Sequence, residues 1–244
     1  MIVAIMQPYF FPYIGYFQLM KAADMFVLYD DVQYVKRGWI NRNKIALNGR
    51  AAWLTLPVLR DEVTTAINQR YYCPDSNGLE QVRNRIDAAY GKNAAYMTIA
   101  PLVFGLIAHH DANVARYNAN LLIELGRLFK TDCTFAFSSQ IEKPDGLKGE
   151  AKVIELCRAL GATHYINPIG GLELYDPASF HKAGLELSFL KTRVPPISLP
   201  DGAQHLSIID SLMRYGLDQC IAQTSQYAVL DRCAAQAETS GATA

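Results

Sequence analysis

The chain has 244 residues, a length that suits one globular domain or a core domain with an insert. Half of the residues (50%) are hydrophobic and 19% are charged, a composition that excludes a wholly disordered or collagen-like chain. Lys plus Arg and Asp plus Glu both number 23, which argues against a surface built mainly to bind nucleic acid or anionic membranes.

Cysteine spacing and the N-terminal residues bear on the cellular compartment. The 5 cysteines are far apart and include no CxxC pair, so neither a disulfide framework nor a zinc site is predicted. The N-terminus lacks a basic leader, and no apolar run approaches the roughly 20 residues that span a bilayer. We therefore expect a cytoplasmic protein with no membrane partner. His109-His110 has no carboxylate or cysteine at ligand spacing, so no metal site is predicted.

The first thirty residues predict a strand, a helix and a second strand. Residues 2–6 form a short apolar run typical of a strand buried on both faces, and residues 25–29 repeat that pattern. Between them, residues 14–23 carry apolar side chains at helical spacing. Such a unit implies a right-handed crossover and a parallel sheet.

The middle of the chain is less regular and then becomes helical. Residues 33–44 combine amides, cations and aromatic side chains in a loop-like segment that is more typical of a site than of a scaffold. A strand is predicted at residues 52–58, after the Asn48-Gly49 turn signal. Three helices are predicted at residues 79–90, 94–109 and 111–129.

The second half returns to an alternating pattern, which predicts an α/β protein. The predicted strands are residues 134–137, 164–166 and 185–190, and the predicted helices are residues 150–160, 176–183 and 206–223. We interpret residues 1–233 as a single α/β domain with a helical insert at about 78–130. The end of the chain, residues 234–244, is predicted to be a disordered tail.

Three polar segments follow predicted strands: residues 7–15, residues 30–44, and Ser138-Ser139 together with residues 167–171. In an open parallel sheet, ligands bind beyond the carboxyl ends of the strands, where loops and helix N-termini converge. We therefore expect these three segments to meet at one ligand cleft.

The turn after the first strand allows a comparison with a known superfamily. In nucleotidylyltransferases and pantothenate-synthetase-like enzymes, a His-x-Gly-His motif lies where strand one meets helix one, and Tyr13-Ile14-Gly15-Tyr16 occupies a similar place here. This similarity implies a parallel-sheet, nucleotidylyltransferase-like (HUP-type) core. A tyrosine can donate a hydrogen bond but is not a cation at neutral pH, which argues against adenylyl transfer by the usual route. Alternatively, Tyr13, Tyr16 and Phe17 simply pack a buried helix.

The wider sequence resembles the WbqC-like family. The resemblance is carried by Gln7-Pro8-Tyr9-Phe10-Phe11-Pro12-Tyr13-Ile14-Gly15-Tyr16-Phe17, Ala23-Asp24, Asp30-Asp31-Val32-Gln33-Tyr34 and Trp39-Ile40-Asn41-Arg42-Asn43, and less specifically by Gly161-Ala162-Thr163-His164-Tyr165, Gly170-Gly171, Tyr175 and Ser207-Ile208-Ile209-Asp210. Members typically have a histidine and a tryptophan where Met6 and Tyr13 stand here. The resemblance implies a role in bacterial surface-polysaccharide (O-antigen) biosynthesis. Its implied activity is transfer of an aminoacyl (glycyl) or acyl group to a nucleotide-linked amino sugar.

The residue types suggest roles within such a site. Asp30 or Asp31 could act as the base that deprotonates the attacking amine, or the pair could bind Mg²⁺. Alternatively, Asp31 caps a turn and Asp30 pairs with Arg37 or Arg42. The predicted substrate-binding residues are Gln7, Tyr9, Tyr13, Gly15, Gln33, Trp39, Asn41, Arg42, Lys44, Ser138, Asn167, Gly170 and Gly171.

Two other functions compete with acyl transfer. One is an ATP-dependent nucleotidylyltransferase or ligase, and the other is a non-catalytic component that binds a sugar nucleotide. The expected partners are a nucleotide-linked amino sugar and an aminoacyl or acyl donor, without extensive nucleic-acid contact. The cofactor is left open, with ATP and Mg²⁺ as the candidates.

Overall fold

Strands and helices alternate along the chain in the structure, a computed structural model that describes residues 1–73 and 76–240. The elements follow in this order: β1 (Ile2–Met6), α1 (Ile14–Ala22), β2 (Met25–Leu28), β3 (Arg42–Leu47), β4 (Arg50–Thr55), α2 (Gly78–Tyr90), α3 (Tyr96–Ile107), α4 (Val114–Leu128), β5 (Thr134–Phe137), α5 (Gly149–Ala159), β6 (His164–Pro168), α6 (Pro177–Lys182), β7 (Glu186–Thr192), α7 (Ile208–Gln223), β8 (Tyr227–Leu230) and α8 (Arg232–Ser240).

The main sheet has 6 strands in the order β5-β2-β1-β6-β7-β8. Every neighbouring pair is parallel except β7 with β8, which is antiparallel. Numbered within this sheet alone, the order is the 3-2-1-4-5-6 of Rossmann-like folds. The predicted α/β class and parallel sheet are therefore confirmed. The strand order reverses between β1 and β6, so the carboxyl ends of these two strands flank the crevice where such folds bind ligands.

Strands β1 and β2 are apolar throughout because both of their faces are covered by helices. Successive side chains contribute to different core clusters: Ala4, Phe26 and Leu28 pack in one, and Val3, Ile5 and Val27 in the other. The first cluster also contains side chains of α1, α4 and α7, and the second contains side chains of α5 and α6. Three layers result, with the sheet in the middle.

Helix α1 is buried almost all round, from Ile14 to Met20. Its one strongly polar buried side chain is Gln18, whose Nε2 donates to the carbonyl oxygens of Gln223 (2.8 Å) and Gln226 (3.0 Å). These bonds tie α1 to the end of α7.

Three parts of the structure differ from the sequence-based expectations. The polar segment 33–44 ends inside β3, which pairs with β4 in a separate antiparallel hairpin across the predicted Asn48-Gly49 turn. Strand β8, a four-residue strand that pairs antiparallel with β7 at the edge of the sheet, was not predicted. Residues 234–240 belong to α8, where Ala235 is fully buried and Glu238 pairs with Lys191 and Arg193, so the disordered-tail prediction does not fit them. Residues 241–244 lie outside the described part of the chain.

None of the helices in residues 1–73 and 76–240 combines the length and the apolar character needed to cross a bilayer.

Candidate functional site

A cavity of about 690 Å³ opens at the point where the strand order reverses. Its size falls within the range of small-molecule sites, roughly 300–1,000 Å³. Its walls come from the bend after β1, the start of α1, the β3 region, the turn after β6, the end of β7 and the loop before α7: Tyr9, Tyr13, Gly15, Trp39, Asn43, Ile169, Gly170, Leu190, Lys191, Thr192, Val194, Pro196, Gln204 and His205. We call it the switch-point cavity.

Of the two tyrosines in the predicted Tyr-x-Gly-Tyr turn, one lines the cavity and the other lies in the core. Tyr13 is the N-cap residue of α1 and lines the cavity, whereas Tyr16 is 1% exposed and donates its hydroxyl to the Gln7 carbonyl oxygen at 2.6 Å. Burial raises the pKa of both phenols, so they are neutral hydrogen-bonding groups at physiological pH. The core-packing alternative thus holds for Tyr16, and also for the fully buried Phe17.

The lack of a side chain at Gly15 leaves room for the Tyr13 ring at the start of α1. A Cβ at this position would lie 2.3 Å from Cε2 of Tyr13, so any larger residue would displace the ring. The Tyr13 ring therefore covers the first turn of α1. An anion approaching these backbone N–H groups would meet a phenol first.

Side-chain hydrogen bonds hold the bend after β1 in place. Nδ2 of Asn43 donates to the carbonyl oxygens of Phe10 (3.1 Å) and Phe11 (2.8 Å), and the Ser207 hydroxyl also donates to Phe11 at 2.8 Å. Phe11 has a φ of 42°, an uncommon conformation for a bulky residue. Such strain persists only where the surroundings impose it, as these bonds do. These bonds fix the conformation of the bend that forms one wall of the cavity.

Two tryptophans and two cations cluster beside this wall. The Trp39 and Trp53 rings lie 5.5 Å apart, the Arg42 guanidinium lies 3.9 Å from the Trp53 ring centre, and Lys44 Nζ lies 5.0 Å from the same ring. Nε of Arg42 also donates to the Gly38 carbonyl oxygen at 3.1 Å. Of this cluster, Trp39 lines the cavity. The predicted binding residues Arg42 and Lys44 contact Trp53 and do not line the cavity themselves.

The two glycines after β6 differ in their surroundings. A Cβ on Gly170 would have no neighbour within 4 Å, and Gly170 lines the cavity. A Cβ on Gly171 would lie 1.9 Å from Nδ2 of Asn167. Asn167 is 5% exposed and accepts a hydrogen bond from the Tyr165 hydroxyl at 3.2 Å. Gly170 therefore leaves space for a ligand, whereas Gly171 leaves space for Asn167.

His205 was not predicted as a site residue, but it lines the cavity, and its ring centre lies 5.2 Å from that of Tyr13. Partial desolvation lowers the pKa of His205 from its usual 6.5, so the imidazole is neutral at physiological pH and can accept a proton. A single histidine in a loop has no motif around it. Its position just before the predicted helix at 206–223 was the one available signal.

The double-aspartate stretch lies in different surroundings. The Asp30 carboxylate is 2% exposed and accepts hydrogen bonds from the Ser138 hydroxyl (3.0 Å), the Ser139 backbone (2.9 Å) and the Ser139 hydroxyl (2.7 Å). Asp31 pairs with Lys143 and Lys152, each at 2.9 Å. These contacts join the end of β2 to the end of β5 and the start of α5.

The protonation state of Asp31 follows from these contacts. Burial raises the pKa of Asp31, but hydrogen bonds from Ser138, Lys143 and Lys152 outweigh burial and hold the pKa below its usual value. A carboxylate with a depressed pKa is a weaker base. The contacts therefore favour a structural role for both aspartates, and their predicted catalytic role remains untested.

The expected single cleft is thus divided. Asp31 lines a separate polar cavity with Ser139 and Lys143, and the residues described as lining that cavity and the switch-point cavity do not overlap. Gln33 donates to the Val63 carbonyl oxygen at 2.9 Å and lies outside both linings, as do Gln7 and the buried Ser138. Asn41 lines a further cavity, together with Arg60 and Arg70. Of the predicted binding residues, the switch-point cavity contains Tyr9, Tyr13, Gly15, Trp39 and Gly170.

The strand order defines a Rossmann-like protein, and a cavity of small-molecule size lies at its switch point. The model of the WbqC-like protein family matches residues 7–221, and the chain belongs to that family. "Uncharacterized protein Rv1507c" of Mycobacterium tuberculosis (strain ATCC 25618 / H37Rv) is 27% identical over 191 residues, which cover 77% of this chain and 80% of that protein. No solved structure is significantly similar to the chain.

Proposed function

We propose that the switch-point cavity binds a nucleotide-linked amino sugar and that the protein transfers an aminoacyl (glycyl) or acyl group to the sugar amine, in bacterial surface-polysaccharide (O-antigen) biosynthesis. The observation that carries the proposal is the position of an aromatic-lined cavity at the strand-order reversal, with a neutral histidine among its lining residues. Membership of the WbqC-like family supports the biological setting.

The lining suits the two parts of a sugar nucleotide. Trp39 offers an aromatic face on which a base or a sugar ring can stack. The open approach to Gly170 lets a ligand reach the backbone, and Lys44, whose Nζ lies 5.9 Å from the Trp39 ring centre, favours a diphosphate. Gln204 and Thr192 add hydrogen-bonding groups for sugar hydroxyls.

Amide formation needs a group that takes up one proton. The sugar amine nitrogen bonds to the carboxyl carbon of an activated donor, and the donor's leaving group departs with the electron pair of the broken bond. The proton lost by the amine passes to a ring nitrogen of His205 and then to the leaving group. Among the described residues that line the cavity, His205 alone has a side chain whose ordinary pKa lies near neutrality. Asp30 and Asp31 are the alternative bases.

A nucleotidylyltransferase-like (HUP-type) core is the finer structural assignment that we propose, and it makes an ATP-dependent ligase the competing activity. The parallel sheet and the turn at Tyr13 and Gly15 support this relationship. In that reaction ATP and Mg²⁺ activate the donor carboxylate, with release of pyrophosphate. Acyl transfer from a donor that is already activated releases none, so a pyrophosphate assay separates the two activities.

Binding can be followed with the protein's own fluorescence, because the chain has only two tryptophans, Trp39 and Trp53. In a Trp53→Phe variant, Trp39 is the sole reporter, and we expect saturable quenching on titration with UDP- and dTDP-linked amino sugars. In a Trp39→Phe variant the remaining Trp53 should respond weakly, because Trp53 is not among the residues lining the cavity. Equal quenching of both tryptophans, or none, would contradict binding in this cavity.

Turnover is tested by mass spectrometry of the sugar nucleotide after incubation with candidate acyl and aminoacyl donors. The proposal expects a product heavier by the acyl group, and expects His205→Gln to slow its formation. Tight binding without any covalent product would identify a non-catalytic binding component instead. If turnover is lost in Asp31→Asn but not in His205→Gln, and both variants are folded, the base is an aspartate and not His205.

A further inference from the structure

A second polar cavity of about 530 Å³ lies beside the segment that leads into β3. Asn41 lines it, whereas Trp39 and Asn43 line the switch-point cavity, so alternate residues of one segment border different cavities. The remaining lining includes three cations, Lys36, Arg60 and Arg70, and one acid, Asp61. The net charge of these four side chains is therefore +2.

Arg70 is the unusual member of this group. It is 4% exposed, and its backbone is fixed because its N–H donates to the Ile67 carbonyl (3.1 Å) and its own carbonyl accepts from Val114 (2.9 Å). The guanidinium makes one hydrogen bond within residues 1–73 and 76–240, from Nη1 to the Glu62 carbonyl oxygen at the long distance of 3.4 Å. The buried Nε has no hydrogen-bond partner among those residues.

The neighbours of Arg70 compensate its charge only in part. The Tyr34 ring centre lies 4.8 Å from the guanidinium carbon, a cation–π contact. Asp61 is 3.8 Å from Nη1, beyond hydrogen-bond length, and its side chain is 45% exposed. A buried guanidinium normally has close, well-aligned acceptors, because removing it from water is costly. Among residues 1–73 and 76–240, no close acceptor matches the Nε donor of Arg70 beside this cavity.

The two other cations of the lining indicate what charge a bound acceptor group would carry. Lys36 and Arg60 are exposed and form no hydrogen bond or ion pair with any described residue. Nearby, the Asn41 amide and the Tyr34 hydroxyl are already bonded to each other at 2.7 Å. A monovalent carboxylate would leave positive charge unmatched, whereas a phosphate group carries about −1.5 to −2 at neutral pH. Guanidinium groups also match phosphate geometry.

We propose that this cavity is a phosphate-binding site, in which Arg70, Arg60 and Lys36 hold a free phosphate or the phosphate group of a larger molecule. The site is distinct from the switch-point cavity and does not depend on the function proposed for it. Binding satisfies the donors of Arg70 and neutralises the +2 charge of the lining side chains.

The test is thermal unfolding and calorimetric titration of the full chain with inorganic phosphate, at constant ionic strength set with chloride. A ligand that binds the folded state raises Tm. We expect such a rise in the wild type and a phosphate affinity about tenfold lower or worse in the Lys36→Gln/Arg60→Gln double variant, because charge-assisted bonds are lost. The matched control is Arg50→Gln/Lys92→Gln, which removes the same charge from exposed positions outside the lining and should keep the wild-type response.

Arg70→Met provides an independent measurement. Replacing an under-compensated buried charge by an apolar side chain is expected to leave Tm without phosphate unchanged or higher, while the phosphate response disappears. If this variant does not fold, the double variant alone decides. An equal response to phosphate in the wild type and the double variant, or an equal response of the wild type to acetate, would overturn the proposal. UMP and inorganic phosphate are each titrated into the wild type and into the Lys36→Gln/Arg60→Gln variant, and the ligand that binds the wild type more tightly and loses affinity in the variant is the one that this cavity binds.

Discussion

Asn167 occupies the space that a side chain at Gly171 would need, with its Nδ2 only 1.9 Å from a Cβ built there. Gly171→Ala should therefore displace Asn167 from the Tyr165 hydroxyl and reduce the free energy of unfolding by about 1–3 kcal/mol, the usual cost of overpacking a buried site. Urea unfolding of both proteins measures the difference.

The adjacent position is the matched control. Gly170→Ala adds the same methyl group where no atom lies within 4 Å, so the free energy of unfolding should stay within about 0.5 kcal/mol of the wild type, as for surface substitutions. If a ligand approaches the backbone at Gly170, Gly170→Ala should also weaken sugar-nucleotide binding, although stability is unchanged. A large loss of stability in Gly170→Ala, or none in Gly171→Ala, would contradict the distinction between the two glycines.

His205 predicts a specific pH dependence of acyl transfer. Its folded-state pKa lies below 6.5 because of desolvation, so the basic form predominates at neutral pH and is lost as the pH falls through that lower value. The rate should therefore be level near pH 7 and decline in acid. His205→Gln should be slower at pH 7 by roughly 10²–10⁴-fold, the usual contribution of a general base, and should lack the decline.

The lowered pKa of His205 also affects the stability of the fold. Because the unfolded chain binds the His205 proton more readily than the folded chain, the free energy of unfolding falls as the pH drops below about 6.5. In His205→Gln this part of the pH dependence should be absent. Unfolding curves between pH 5 and pH 8 therefore separate an acid loss of activity caused by unfolding from one caused by protonation of the base. An unaltered pH–rate profile in the variant would exclude His205 as the base.

Much of the fold could be predicted because each central strand is buried on both faces. β1, which is buried on both faces, lies where the sequence predicts it, as does the edge strand β5, and α1 ends one residue before its predicted end. β3 was not predicted because its first residues, Arg42 to Lys44, are polar. Arg42 packs on Trp53, and Asn43 donates a hydrogen bond to the bend after β1. Such a strand lacks the apolar alternation that identifies strands in a sequence.

The site was harder to predict for a related reason. Chain order correctly suggests that the segments after β1 and β6 are neighbours, but it does not specify which residue faces which cavity. Trp39 and Asn41 are two positions apart and line different cavities, and Asn43 both lines one and anchors the bend. Those directions depend on the β3–β4 hairpin, which packs through contacts far apart in sequence.

The buried hydrogen bonds of Asp210 predict that its substitution has a large effect on stability, although Asp210 does not line the switch-point cavity. It is fully buried at the start of α7, where it accepts hydrogen bonds from the Tyr90 hydroxyl (2.5 Å), the Ala46 backbone (3.2 Å) and Nε of Arg214 (2.7 Å). Asp210→Asn removes the charge and one acceptor, leaving a buried donor unmatched, so the free energy of unfolding should fall by roughly 1–3 kcal/mol. Asp218→Asn, an exposed position on the same helix, should be nearly neutral in the same denaturation experiment.

Asp31 predicts an acid-sensitive contribution to stability. Since its folded-state pKa is depressed, the contribution is present above the unfolded value near 3.8 and is lost as the pH falls through the lower folded value. Asp31→Asn should therefore cost roughly 1–3 kcal/mol at pH 7, where Lys143 and Lys152 lose their partner, and the difference from wild type should shrink below pH 4. Asp132→Asn is the control, because Asp132 is 93% exposed and its pair with Lys21 should contribute no more than about 1 kcal/mol. If Asp31→Asn instead keeps wild-type stability at pH 7 and abolishes turnover, Asp31 acts in the chemistry and the structural role is wrong.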